Sequence, residues 1–92
     1  RQCGEASLRL DAKQAYLIFG GDHLLSAEAL DLGALGVSLS LGSDRPSVEG
    51  NTSVWTFRGL PEGHYRIAFP TRDGSRNCDF YIEAGQKLEL KP

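Results

Sequence analysis

The stretch FRGLPEGHYRIAF, from Phe57 to Phe69, constrains the fold of this chain more than any other segment. Gly59 and Gly63 bracket Leu60, Pro61 and Glu62, so two residues free to take positive φ flank one whose φ is fixed at a turn-forming value. The chain must reverse direction there. Beyond the reversal, Tyr65, Ile67 and Phe69 alternate with His64, Arg66 and Ala68, the period-two signal of a strand with one face on a core and the other in solvent. Pro70, which has no backbone N–H to donate, is expected to end the pairing. Before the reversal, Val54 to Arg58 reads as a strand with Trp55 and Phe57 inward. The two strands are expected to form a hairpin across the Gly59–Gly63 turn.

The same alternation recurs along the chain. Ser7 to Leu10 reads as a first strand with Leu8 and Leu10 inward, and the apolar run within Gln14 to Phe19 as a second, covered on both faces and ended by Gly20 and Gly21. Between Asp22 and Leu35, Ser26 could cap a short helix through Leu30, but a short strand with a turn-like continuation is the preferred reading. Gly36 to Leu41 is a strand with Val37, Leu39 and Leu41 on one face. GSDRPSVEGNTS, Gly42 to Ser53, reads as a long surface connection. Thr71 to Asn77 forms a loop around the turn pair Asp73-Gly74. Cys78, Phe80 and Ile82 then share an inward face, and Leu88 and Leu90 lie on a closing strand after an Ala84-Gly85 turn.

About seven short strands and little helix predict an all-β fold, an antiparallel two-sheet β-sandwich, with a small closed barrel as the competing architecture. A chain of 92 residues is expected to form one domain over residues 1–92, burying about two-thirds of its unfolded surface around one core.

Charge narrows the function classes. A formal net charge of −2 supplies neither the basic footprint of a nucleic-acid-binding domain nor a polybasic membrane patch. No run approaches the roughly 20 apolar residues of a membrane-spanning helix. The start at Arg1 and the absence of methionine suggest a processed or excised fragment, from which a signal peptide could have been removed. Cys3 and Cys78 fit no zinc-ligand spacing. In an oxidising compartment a Cys3–Cys78 disulfide is expected, which on the chain-entropy model would contribute roughly 4 kcal/mol. Two unrelated buried thiols are the alternative.

GLPEGHYRIAF together with YIEAGQKLEL resembles the second half of the prealbumin-like (transthyretin-like) β-sandwich domains, such as the carboxypeptidase regulatory-like and collagen-adhesin B-type repeats. Phe57, Gly59, Leu60, Pro61, Gly63 and Tyr65 match their aromatic-x-Gly-Leu-Pro-x-Gly-x-Tyr element. Ile82, Ala84, Gly85, Gln86, Leu88 and Leu90 match their final pair of strands. The resemblance covers roughly the last 40 residues and is a signal of fold alone. In the first half only Leu35 to Leu39 offers a counterpart to the family's opening strand, and no lysine, asparagine and acid triad for an isopeptide cross-link can be assigned. Roles in those families run to scaffolding, adhesion, carbohydrate contact and assembly of secretion machinery.

Catalytic motifs are sparse. Asp22-His23 is the nearest acid–base pair, but neighbours on a strand point to opposite faces. His64 belongs to an outward face beside Arg66, and two distant histidines make no metal site. No serine sits in a Gly-x-Ser-x-Gly elbow, and no cofactor or metal is expected. Asn51-Thr52-Ser53 is a formal N-glycosylation acceptor. Trp55 and the tyrosines could form a sugar-stacking platform, although alternation directs Trp55 to the core. Arg45, Arg72, Asp73 and Arg76, in the two polar loops, are the candidate partner-binding residues, since loops on a rigid scaffold collect binding groups and arginine is favoured at interfaces. The expectation is a non-catalytic, extracytoplasmic module that binds or assembles with a protein partner through its loops or an open sheet edge. A carbohydrate-binding module and a small secreted hydrolase inhibitor are the rival readings.

Overall fold

The computed structural model describes residues 2–11, 13, 23–32, 35–36, 38–71 and 73–91. Eight strands run through them: β1 (Gly4–Asp11), β2 (Ser26–Ala29), β3 (Ser40–Gly42), β4 (Ser47–Glu49), β5 (Thr52–Leu60), β6 (Gly63–Thr71), β7 (Gly74–Ile82) and β8 (Lys87–Leu90). They form two four-stranded sheets, ordered β4-β5-β1-β8 in sheet A and β3-β2-β6-β7 in sheet B. The described residues contain no α-helix. The expected strand at Gln14 to Phe19 and its ending glycines, Asp22, Val37 and Arg72 all lie outside the described residues.

Alternation selects the core. β1 turns Ala6, Leu8 and Leu10 inward, β5 turns Trp55 and Phe57, β6 turns Tyr65, Ile67 and Phe69, and β7 turns Phe80 and Ile82; all join one buried cluster. Burying each large apolar side chain is worth about 1.5–3 kcal/mol, which dominates the marginal stability of a chain this short. Cys78 packs against the same cluster from the inward face of β7.

The largest departure from expectation lies at the opening motif. β5 pairs with β1 and β4, whereas β6 pairs with β2 and β7, so Gly59 to Gly63 is a crossover between sheets and not a hairpin turn. The two strands carry their bulkiest residues on faces that satisfy each other across the sandwich, and pairing them side by side would place those faces in one layer. A bulge initiates the crossover. β1 advances from Ala6 to Gly4 while its partner advances from Phe57 to Leu60, so β5 holds one extra residue. Gly59 accommodates it at φ 70°, a left-handed conformation that glycine adopts without a Cβ penalty. Arg58 and Gly59 are both exposed, and the inward phase moves from odd to even positions so that Leu60 is buried. The Tyr65 hydroxyl donates a 2.5 Å hydrogen bond back to the Pro61 carbonyl, the arrangement of a tyrosine corner at a sheet-to-sheet connection.

Other differences are local. β6 continues past Pro70, which pairs with Ser75. Pairing of β6 with β2 stops at Ile67, so a missing N–H directed to that side breaks no ladder bond. The true hairpin is β6–β7, in register from Thr71↔Gly74 to Gly63↔Ile82, which shortens the loop expected at Thr71 to Asn77. The polar Gly42–Ser53 segment holds β4, paired with β5. The strand expected from Gly36 begins only at Ser40, although the Ala29 N–H still bonds to the Leu39 carbonyl at 2.9 Å. Ser43 clasps β2 from the following crossover: its N–H donates to the Leu25 carbonyl at 2.8 Å and its Oγ accepts from the Leu25 N–H at 3.1 Å. β8 pairs in parallel with β1, after the chain leaves β7 in sheet B and crosses to the other layer.

The expected Cys3–Cys78 disulfide is not formed; both thiols are free, Cys3 exposed and Cys78 half-buried. Gly4, next to Cys3, lies against the end of β7, where a Cβ would sit 2.5 Å from Ile82 Cγ1. Cys78 is four positions back along that strand, about 13 Å at the rise of a β-strand. A disulfide needs Cα atoms within about 7 Å.

Candidate functional site

The two outward faces of the sandwich differ in how their charges are used. On sheet A, Arg9 reaches Glu49 and Glu89, each at 3.5 Å, and Arg58 reaches Asp44 at 2.6 Å and Glu5 at 2.9 Å. Each arginine sits between two carboxylates from different segments, which describes a solvated, internally matched face.

Sheet B is organised differently. The β6–β7 register sets His64 opposite Tyr81, Arg66 opposite Asp79 and Ala68 opposite Asn77, while β2 adds Glu28 beside Arg66. Arg66 and Asp79 form a two-point ion pair at 2.8 and 2.9 Å. That pair holds the Asp79 carboxyl below the usual aspartate range, its hydrogen bond to Arg66 being the main cause. Open grooves lie on either side of it. One, of about 420 Å³, is lined by Leu30, Asp31, His64, Phe80 and Tyr81 among others. The second, of about 410 Å³, lies between Leu24, Ser26, Ala68 and Pro70. Leu24 and Tyr81 are 54% and 42% exposed, so apolar surface accompanies both grooves.

The first groove is built by a long-range clamp. The Leu30 N–H bonds to the His64 carbonyl at 2.8 Å, which carries the chain out of β2 alongside β6 and delivers Asp31. The Asp31 Oδ2 accepts the His64 N–H at 2.9 Å, and Oδ1 lies 3.0 Å from His64 Nδ1. The backbone bond, followed by the side-chain bond, lowers the Asp31 carboxyl below its ordinary value. The imidazole meets Tyr81 edge to face, with ring centroids 4.6 Å apart at 62°. The Tyr81 hydroxyl donates to Glu62 Oε2 at 3.2 Å. Partial burial, then Glu62, then the charges of Glu83 and Asp31 push that phenol up.

This arrangement can orient a ligand by aromatic contact and hydrogen bonding. Among the described residues no serine, threonine or cysteine side chain is hydrogen-bonded to His64, so the imidazole is not set as the base of a nucleophile of those types. No three His, Cys, Asp or Glu side chains among the described residues converge to hold a metal ion. No family model, curated protein or solved structure matches this chain. Any functional reading therefore stands on the geometry of these faces.

The loop residues named from the sequence do not gather at this site. Arg45 is exposed in the crossover between β3 and β4. Asp73 and Arg76 are exposed at the tip of the β6–β7 hairpin. β3 and β7 are the outer strands of the described sheet B, so β2 and β6 separate Arg45 from the other two. Arg72 lies outside the described residues. Of the Asp22-His23 pair, His23 is exposed and its carbonyl accepts the Trp55 Nε1–H at 3.0 Å. Trp55 itself is 2% exposed, which leaves no indole surface for sugar stacking.

The Asp31–His64–Tyr81 cluster was missed in the sequence because Asp31 and His64 are separated by 33 positions and meet only through pairing of β2 with β6. The turn pair does not supply the rest: counting back from a two-residue turn at Asp73-Gly74 sets Glu83 opposite His64, whereas the observed register places Thr71 opposite Gly74 and Tyr81 opposite His64.

Proposed function

We propose that this chain is a non-catalytic β-sandwich module that binds a protein partner on the outer face of sheet B. The observation carrying this reading is the pair of adjoining grooves on sheet B, of about 420 and 410 Å³ and accompanied by exposed Leu24 and Tyr81, against one smaller groove of about 270 Å³ among the charged side chains of sheet A. Exposed apolar surface rimmed by polar groups is the usual mark of an interaction site. A crossover of Gly-Leu-Pro-x-Gly-x-Tyr with its tyrosine corner and a closing strand after Ala84-Gly85 support the prealbumin-like reading of the sandwich. An extracytoplasmic setting follows from that resemblance. The protein reading is preferred to a carbohydrate module because Trp55 is buried.

The test is capture of partners from an extracellular or periplasmic fraction by immobilised wild type, Ala68→Arg and Ser47→Arg. Ala68 is exposed on the sheet B face and Ser47 on the outermost described strand of sheet A. Loss of the captured protein with Ala68→Arg and retention with Ser47→Arg is expected, at equal melting temperature. The opposite pattern, or recovery of glycans alone, would defeat the reading.

A further inference from the structure

We propose that the groove around Tyr81 receives a cationic side chain, lysine or arginine, presented by an extended basic segment of the partner protein. The inference rests on sheet B being the binding face and specifies the chemistry at one end of it.

The groove has an apolar lining of Leu30 and Phe80 with the Tyr81 ring exposed beside them. Its volume of about 420 Å³ lies within the usual range of ligand pockets, and its open form suits a side chain entering from an extended strand. The aromatic group is held in place before any ligand arrives: the Tyr81 hydroxyl is bonded to Glu62 and its ring meets His64, which Asp31 in turn holds. A pre-set ring costs little ordering on binding.

Charge then selects the occupant. Asp31, Glu62 and Glu83 all act on the Tyr81 phenol. Among the described residues neither Glu62 nor Glu83 has a cationic partner. The nearest arginine on the face, Arg66, is engaged at two points by Asp79 and offers this end little compensating charge. An exposed tyrosine face with unmatched carboxylates around it favours a guanidinium or ammonium group, by cation–π attraction and by simple Coulomb attraction. The same charges disfavour an acidic segment.

The probe is a blocked hexapeptide alternating arginine and valine, titrated into ¹⁵N-labelled protein, with a glutamate–valine hexapeptide as control. The basic peptide should perturb the amides of Asp31, His64, Tyr81 and Glu83, more weakly as salt is raised. Its affinity should fall about tenfold in the double variant Glu62→Gln/Glu83→Gln, as two exposed charge contacts imply. Glutamine at 62 keeps an acceptor for the Tyr81 hydroxyl, so a loss reports charge and not a displaced ring. Perturbation elsewhere, an unchanged affinity in the double variant, or an equal response to the acidic peptide would overturn the proposal. So would maltohexaose shifting these amides while the basic peptide is inert. If the basic peptide is inert but Ala68→Arg still abolishes partner capture, the cationic chemistry is wrong and the binding face stands.

Discussion

Asp31 grips His64 at two points, accepting the backbone N–H at 2.9 Å and lying 3.0 Å from the ring Nδ1. One carboxylate thereby ties the segment leaving β2 to the start of β6 and fixes the orientation of the imidazole against Tyr81. The contact makes the exit from β2 a structural part of the sheet B face.

The clamp sets a pH dependence. The Asp31 and Asp79 carboxyls are both lowered in the folded chain, by bonds to His64 and Arg66 respectively. The unfolded state therefore binds more protons as pH falls through the ordinary aspartate value of about 3.9. Stability from these groups is present above that value and is lost as pH drops through the lowered folded values. Urea midpoints measured from pH 6 down to pH 2 should decline below about pH 4, and Asp31→Asn should show a shallower decline. An equal slope in wild type and variant would exclude this role for Asp31.

Tyr65→Phe removes the hydroxyl that bonds the Pro61 carbonyl at the crossover and leaves the ring stacked on Phe80 at 5.6 Å. Chemical denaturation should register a loss of about 1 kcal/mol with an unchanged m-value. A neutral result would show that the crossover holds its course without the corner.

Two glycines should fail for opposite reasons when replaced by alanine. Gly59 has open space around a Cβ position but a φ of 70°, so alanine there should cost about 1–2 kcal/mol through backbone strain alone. Gly4 has no such φ, yet its Cβ would meet Ile82 Cγ1 at 2.5 Å and two backbone oxygens at 3.1 Å, a packing cost of about 1–3 kcal/mol. Truncating Ile82 to alanine removes the clashing Cγ1 and should relieve part of the Gly4→Ala penalty and none of the Gly59→Ala penalty. A double-mutant cycle in urea measures both couplings.

The cysteines should behave as independent thiols. Cys3 is exposed, while burial and then the neighbouring charge of Asp79 push the Cys78 thiol up, which suppresses its reactive thiolate. Alkylation at mildly alkaline pH under non-reducing conditions, read by peptide mass spectrometry, should label Cys3 well before Cys78. Cys3→Ala should change stability by less than about 0.5 kcal/mol, whereas loss of a disulfide closing this loop would cost roughly 4 kcal/mol.

Side-chain alternation was legible residue by residue. Leu8, Leu10, Trp55, Phe57, Tyr65, Ile67, Phe69, Phe80 and Ile82 could each be assigned inward from their neighbours, and each is buried, because a strand repeats every two residues wherever it sits. Ser26 to Ala29 also forms the short strand preferred over a helix. Pairing was not legible in the same way. The Gly59–Gly63 segment reads as a turn in any context, and local sequence does not say whether a turn returns the chain to the same sheet or carries it to the facing one.

The chain alone thus determined an all-β fold, the identity of most core side chains and the places where direction changes, since these depend on period, turn chemistry and apolar content within a few residues. Only the tertiary structure decided that the opening motif is a bulged crossover, that β8 runs parallel to β1, and that Asp31, His64 and Tyr81 share one groove. Those outcomes depend on which strands exchange backbone hydrogen bonds and in what register, a choice made by the two faces of the sandwich as they close over one core.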